Sequence, residues 1–300
     1  MEPQPTEAPA SDPAHDVVES YDKLTQDELG NLGIVLGAYR SFRGDRRGHI
    51  AYVSMPITSG KRFYETLAAE GVTSLEELSA KRGKDALYEL VIKPNVAEGI
   101  ALADKLGDER RNLLFIAPSV FEAKKWRWSQ HAYMSLWYRV IGELAGKHYL
   151  MDGWEYSTGG LQEVLFSMLM RWRVIRSFNV REGAAEFRFA NFHPGLSREK
   201  LMEELRGMWE IRIYEADGAE VRLDQALAKA VGAIRDLQAR GFDASNLIGP
   251  AWRLSQVPWR SPFFMAGFSP DSRDERTFSP LYEEMRDAIK EISMRPEAAP

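Results

Sequence analysis

The feature that most constrains this chain is a recurring order: a short apolar run rich in β-formers, a turn marked by proline or glycine, then a segment with helical apolar spacing. His49-Ile50-Ala51-Tyr52-Val53-Ser54 stops at Pro56, and Gly60-Lys61-Arg62 opens a helix carrying Phe63, Tyr64 and Leu67 to Gly71. Asn112-Leu113-Leu114-Phe115-Ile116-Ala117 ends at Pro118, and its near-continuous apolar character predicts a strand buried on both faces of a parallel sheet. Lys147-His148-Tyr149-Leu150-Met151 is a third strand, followed by Asp152-Gly153-Trp154 and a turn-rich stretch to Gly160. Leu161, Val164, Leu165, Met168 and Leu169 then fall at i, i+3, i+4, i+7 and i+8, one stripe of an amphipathic helix. This alternation predicts an α/β fold with a mainly parallel sheet, whose binding crevice lies on the loops after the strand C-termini.

Outside that core, residues 1–18 are rich in Pro, Ala, Glu and Asp, cannot repay the entropy of ordering, and are expected to be a disordered tail. Met134, Trp137, Tyr138 and Ile141 have helical spacing. From residue 181 the pattern changes: Glu186 to Phe189 alternates like a half-exposed strand, Trp209 to Tyr214 does so more weakly, and Leu223 through Leu237 is a helix ending at Gly241. Pro250 to Pro270 reads as an ordered loop and Leu281 to Ile292 as a last helix. The expected organisation is therefore a tail (1–18), an α/β domain (19–180) and an α+β C-terminal extension (181–300) packed on it.

Composition narrows the function classes. The 300 residues include no cysteine, which excludes a disulfide framework, thiolate metal sites and a cysteine nucleophile. No window approaches the roughly 18 apolar residues of a membrane span, and no leader pattern opens the chain, so a cytoplasmic protein without membrane partners is expected. A formal charge of −5 argues against a duplex nucleic-acid binder but allows a local basic pocket for a small anion. Thr58-Ser59-Gly60-Lys61 imitates the end of a phosphate-binding loop, yet the leading glycine is missing and Arg62 stands where a magnesium-holding hydroxyl is needed. The five histidines show no metal-ligand spacing. Lys124-Lys125-Trp126-Arg127-Trp128 fits either a base-stacking platform or an aromatic anchor with solvated charges. Arg40, Arg43, Arg46 and Arg47 fit a solvated loop or a face for an anion, and Arg171, Arg173 and Arg176 suit a helix C-terminus.

The strongest local signal is Asp152-Gly153-Trp154-Glu155-Tyr156-Ser157-Thr158-Gly159-Gly160-Leu161-Gln162-Glu163, with Ser157-x-Gly159-x-x-x-Glu163 at its centre. Where a strand end becomes a helix N-terminus, this spacing delivers a hydroxyl and free backbone N–H groups able to hold a phosphate or a sugar oxygen. Glu163, one turn in, can supply the carboxylate that attacks an anomeric carbon, because an oxocarbenium-like transition state gains from a facing negative charge. The same residues also fit a plain turn at Gly159-Gly160, an N-cap at Ser157 or Thr158, and a first-turn acid at Glu163.

Together with Tyr52-Val53-Ser54-Met55-Pro56-Ile57-Thr58, that segment resembles the nucleoside 2-deoxyribosyltransferase-like superfamily, which includes the 2′-deoxynucleoside 5′-phosphate N-hydrolases. The resemblance spans roughly residues 48–170. It implies a Rossmann-like or flavodoxin-like sheet with helices on both faces and Glu163 as nucleophile. By the same resemblance Ser157 and Gly159 contact phosphate or ribose, and Ser54, Ile57 and Thr58 form the first-loop contacts. Trp154, beside the later motif, joins the candidate substrate-binding residues. The chain departs from the pattern in three ways: Met55 replaces the usual glycine before the proline, which is expected to narrow the pocket; the C-terminal part is long; and Tyr133 to Trp137 offers no match for an assisting acid, leaving Asp152 as its substitute.

The expected activity is a nucleoside or nucleotide N-glycosidase or deoxyribosyltransferase with no cofactor or metal, acting on a small molecule and compatible with a homo-oligomer. The alternatives are a non-catalytic nucleotide-binding or sensing module and an NAD glycohydrolase-like activity at the same glutamate.

Overall fold

Four short strands, β1 (Ile50–Ser54), β2 (Leu114–Ile116), β3 (Lys147–Leu150) and β4 (Arg212–Glu215), pair in parallel in the order β2-β1-β3-β4. The structure is a computed structural model that describes residues 25–43, 49–118, 130–179, 211–257 and 280–294. Its helices are α1 (Gln26–Arg43), α2 (Lys61–Glu70), α3 (Leu75–Arg82), α4 (Lys93–Glu109), α5 (Gln130–Arg139), α6 (Thr158–Asn179), α7 (Leu223–Ala239), α8 (Ser245–Ser255) and α9 (Pro280–Met294). Single π-helical turns at Tyr88–Ile92 and Val140–Leu144 precede α4 and follow α5. No helix among the described residues is long and apolar enough to cross a membrane.

The sheet is covered on both faces, which is why β1 is buried at every position. Ala51 and Val53, with Met55 beyond the strand, face Leu106 of α4 and share their layer with Tyr149 and Met151. Ile50 and Tyr52 face the other way, against Leu32, Val35 and Leu36 of α1 and Leu136 and Trp137 of α5. On that second face Leu150 and Ile213 of β3 and β4 pack with Leu161, Val164, Leu165 and Met168 of α6 and with Leu227, Ala230 and Ile234 of α7. Each fully buried aliphatic side chain contributes about 1.5–3 kcal/mol, so the apolar stripe of α6 fixes which of its faces meets the sheet. Glu163 lies on that buried side.

The α/β architecture with a parallel sheet and helices on both faces agrees with the sequence pattern, but several elements differ. β2 is the outermost described strand on its side, and Leu114 is 43% exposed, so the expected burial on both faces is not met there. The segment expected as a C-terminal extension packed on the core also contributes a strand to the sheet itself. β4 pairs with β3 in the register His148 with Ile213 and Leu150 with Glu215, and so adds the fourth strand. Pro250, expected in a loop, sits buried inside α8, where its missing N–H and its ring are tolerated within an otherwise regular helix. Arg40 and Arg43 belong to α1 rather than to a loop. Residues 1–18, Arg46 and Arg47, Lys124 to Trp128 and Glu186 to Phe189 lie outside the described residues.

Candidate functional site

In a sheet of this order the chain leaves β1 for β2 on one side and returns across β1 to β3 on the other, so the strand order reverses between β1 and β3. The loops after those two strands part there and leave a crevice at their C-terminal ends. One wall is the loop from Met55 to Gly60, the other the segment from Met151 to Ser157 with its 3₁₀ turn Trp154–Tyr156. The walls touch through glycine. At Gly60 (φ +89°) a Cβ would strike Pro56 of its own loop and come within 3.5 Å of the Gly153 carbonyl oxygen on the facing wall, and at Gly153 (φ +83°) one would sit 2.8 Å from Lys61 Cβ, just past Gly60.

Glu163 lies in the second turn of α6 and reaches β1. Its Oε1 accepts a hydrogen bond from the Tyr52 hydroxyl at 2.6 Å, and its Oε2 accepts one from the Ser54 hydroxyl. Tyr52 and Ser54 are two apart on β1 and therefore point to the same face, the one α6 covers. Glu163 is only 6% exposed. Burial pushes its carboxyl up to about 7, and the Ser54 and Tyr52 hydroxyls oppose that by stabilising the anion. Each oxygen keeps a lone pair beyond the one a hydroxyl occupies, so the carboxylate can still act as a nucleophile. Tyr52, pressed between burial and the neighbouring carboxylate, is held well above the usual phenol range and stays a donor.

Behind this pair, His148 of β3 lies opposite Tyr52 in register, with ring centroids 5.3 Å apart, and its Nδ1 is 2.8 Å from the Ser167 hydroxyl. Ser167 is one helical turn beyond Glu163. Burial pushes His148 down to about 3, so it is a neutral member of the core.

Ser157 caps α6. Its hydroxyl accepts from the Gly160 N–H at 3.3 Å, its carbonyl accepts from the Leu161 N–H at 2.9 Å, and its hydroxyl also meets that of Ser59 at 3.0 Å across the crevice. Gly160 is required, because a Cβ there would lie 2.6 Å from the Trp154 carbonyl oxygen. Gly159 is not, since its nearest neighbour would be the Ser157 hydroxyl at 3.8 Å.

The residues expected at the site are thus distributed unevenly. Glu163 and Ser54 meet directly, with the Ser54 hydroxyl committed to Glu163, and Ser157 meets Ser59 of the facing loop; Glu163, Ser54 and Ser157 are all buried. Ile57 is half-buried and engages through its carbonyl, while Thr58 is exposed on the loop. Trp154 is fully buried among Tyr64, Leu161 and Val164, so its ring belongs to the core rather than to an open stacking surface. Asp152 is exposed, and its charge acts on Glu155 and Lys229, whereas the groups acting on Glu163 are Ser54 and Tyr52. Met55 does not narrow the crevice. It points to the opposite face of the sheet, where the absent side chain of Gly99 in α4 leaves its sulfur a seat.

Sequence reasoning passed over Tyr52 as a partner of Glu163, Ser59 as a partner of Ser157, and Asn95. The first two stand inside the quoted motifs and are found by asking which strand residues share a face with Ser54 and which loop hydroxyl precedes Gly60. Among the described residues no group of three or more His, Cys, Asp or Glu side chains is arranged to hold a metal ion. Comparison of the chain with models of protein families, with curated proteins and with solved structures returns no match.

Proposed function

We propose that the protein cleaves the bond between base and sugar of a nucleoside or nucleotide, as an N-glycosidase or a deoxyribosyltransferase. The observation that carries this reading is Glu163: a buried carboxylate held by two hydroxyls beside the switch-point crevice, six residues beyond the capping hydroxyl of Ser157. The resemblance of residues 52–58 and 152–163 to the nucleoside 2-deoxyribosyltransferase-like superfamily supports the same chemistry.

In this reaction a Glu163 oxygen attacks C1′, a C1′–O bond forms, and the C1′–N bond breaks with its electron pair passing to the base. The departing base takes a proton from Asp152 or from water. Water or a second base then attacks C1′, and the carboxylate leaves as the anion that Tyr52 and Ser54 stabilise. Attack requires ionised Glu163, so turnover rises with pH through about 7.

A non-catalytic nucleotide-binding module is the second reading, favoured by the placement of Asp152 beside Glu155 and Lys229. The test incubates wild type and Glu163→Gln with ribo- and deoxyribonucleosides, their 5′-monophosphates and NAD, with and without an acceptor base, and follows free base by chromatography. Release by the wild type that falls at least about a thousandfold in the variant supports the enzyme. Thermal stabilisation by a nucleotide with no base released by the wild type supports the binding module. A fully active Glu163→Gln overturns the mechanism.

A further inference from the structure

Asn95 stands in the first turn of α4, outside both crevice loops, yet it is 3% exposed and its side-chain N–H donors are spent on one of them. Its Nδ2 donates to the Ile57 carbonyl at 3.2 Å and to the Ser59 carbonyl at 3.4 Å. Its Oδ1 accepts from Arg62 Nε at 3.0 Å, and a second Arg62 nitrogen pairs with Glu98 one turn further along α4. The orientation of the amide is fixed by its partners, because a carbonyl can only accept and a guanidinium can only donate.

The consequence lies in the peptide planes. The described residues contain no cis peptide bond, and in a trans peptide the N–H points opposite to the carbonyl of the preceding residue. Drawing the Ile57 and Ser59 carbonyls toward α4 therefore turns the Thr58 and Gly60 N–H groups away from it. Neither N–H has a hydrogen-bond partner among the described residues. Between them Ser59 places its hydroxyl on that of Ser157. Two backbone donors alternating with a hydroxyl are the set of groups that can together hold a ligand oxygen.

We propose that Asn95 is a positioning residue for the crevice: it aims the Thr58 and Gly60 N–H groups and the Ser59 hydroxyl at an oxygen-bearing group of the ligand. The proposal depends on the N-glycosidase reading only for the identity of that ligand.

The test uses the full chain with Asn95→Asp, nearly isosteric and still able to pair with Arg62, and with Asn95→Ala, which removes all three bonds. The first measurement needs no activity. Backbone ¹⁵N relaxation at Thr58, Ser59 and Gly60 is expected to show rigid order parameters of about 0.85 in the wild type and a fall toward about 0.6 in both variants, with β1 unchanged. Order parameters that stay at the wild-type level in both variants overturn the proposal, whatever the protein binds. The second measurement takes the nucleotide on which the wild type is active. The expected result is KM raised about tenfold, kcat within about twofold and an unmoved pH midpoint, since Asn95 touches neither Glu163 nor its hydroxyl partners. An unchanged KM overturns it. A wild type that neither binds nor cleaves any nucleotide sinks the proposed function alone, and the relaxation result then decides Asn95 by itself.

Discussion

Replacing Glu163 by glutamine removes one ionisable group from the core, and the effect on stability varies with pH in a way the site dictates. Burial holds the Glu163 carboxyl at about 7 in the folded protein, against 4.5 for an unperturbed glutamate. Between those values the folded chain retains a proton that the unfolded chain has released. The stability this proton confers is fully present below pH 4.5 and is lost as pH rises through 7. At about 1.4 kcal/mol per pH unit, the loss reaches roughly 3 kcal/mol by pH 8. His148 acts in the opposite sense. Its imidazole is pushed down to about 3 from 6.5, so the unfolded chain takes up the proton first and stability falls as pH drops below 6.5. Between 4.5 and 6.5 the two groups contribute slopes of one proton each with opposite sign, and they cancel. Glutamine keeps Tyr52 and Ser54 as partners, because a hydroxyl can accept as well as donate. Urea denaturation followed by circular dichroism, at steps from pH 4.5 to pH 8, yields unfolding free energies for both proteins. The difference, variant minus wild type, is expected to grow by about 3 kcal/mol across that range. A difference constant to within about 0.5 kcal/mol would mean that Glu163 titrates like a solvated glutamate, and the argument from burial would fail with it.

Three further substitutions probe the same region. Tyr52→Phe deletes a bond that favours the ionised form of Glu163, so the midpoint of its titration, read by ¹³C NMR of the carboxyl, should move up by as much as about one pH unit. A midpoint that moves down contradicts the assignment of that hydroxyl as donor. Gly160→Ala forces a methyl against the Trp154 carbonyl and should cost roughly 1–3 kcal/mol. Gly159→Ala meets ordinary contact and should be neutral or stabilising by up to about 1 kcal/mol through helix propensity. Equal melting temperatures for the two variants would refute that contrast.

Legibility in the sequence followed the range of the forces involved. The strands at Ile50–Ser54 and Lys147–Leu150 and the stripe on α6 are local patterns, and each was readable to within a few residues. Glu163 and Ser157 were readable because a helix start imposes their spacing. Helix α1 was hidden by Gly30, Gly33 and Gly37, which weaken any helical propensity argument; its packing of Leu32 and Leu36 against α5 is tertiary. Pro250 argued against a helix that burial supports. Asn95 carries no local signal, since the carbonyls it holds are 36 and 38 positions earlier in the chain. Tyr52 reads as an ordinary β-former until Glu163, 111 positions away, is brought beside it.

Among the described residues, the largest cluster of core side chains joins Tyr64 and Leu67 of α2 to Tyr282, Ile289 and Ile292 of α9, with α6, α7 and α8 between them. During synthesis, at about 5–20 residues per second, the first of these emerges on the order of ten seconds or more before the last. For that interval the apolar stripes of α6, α7 and α8 have been made but not enclosed. The nascent chain therefore carries exposed apolar surface until its final helix arrives. Shortening the protein before Pro280 would make that passing condition permanent, with aggregation rather than a smaller folded domain as the expected product.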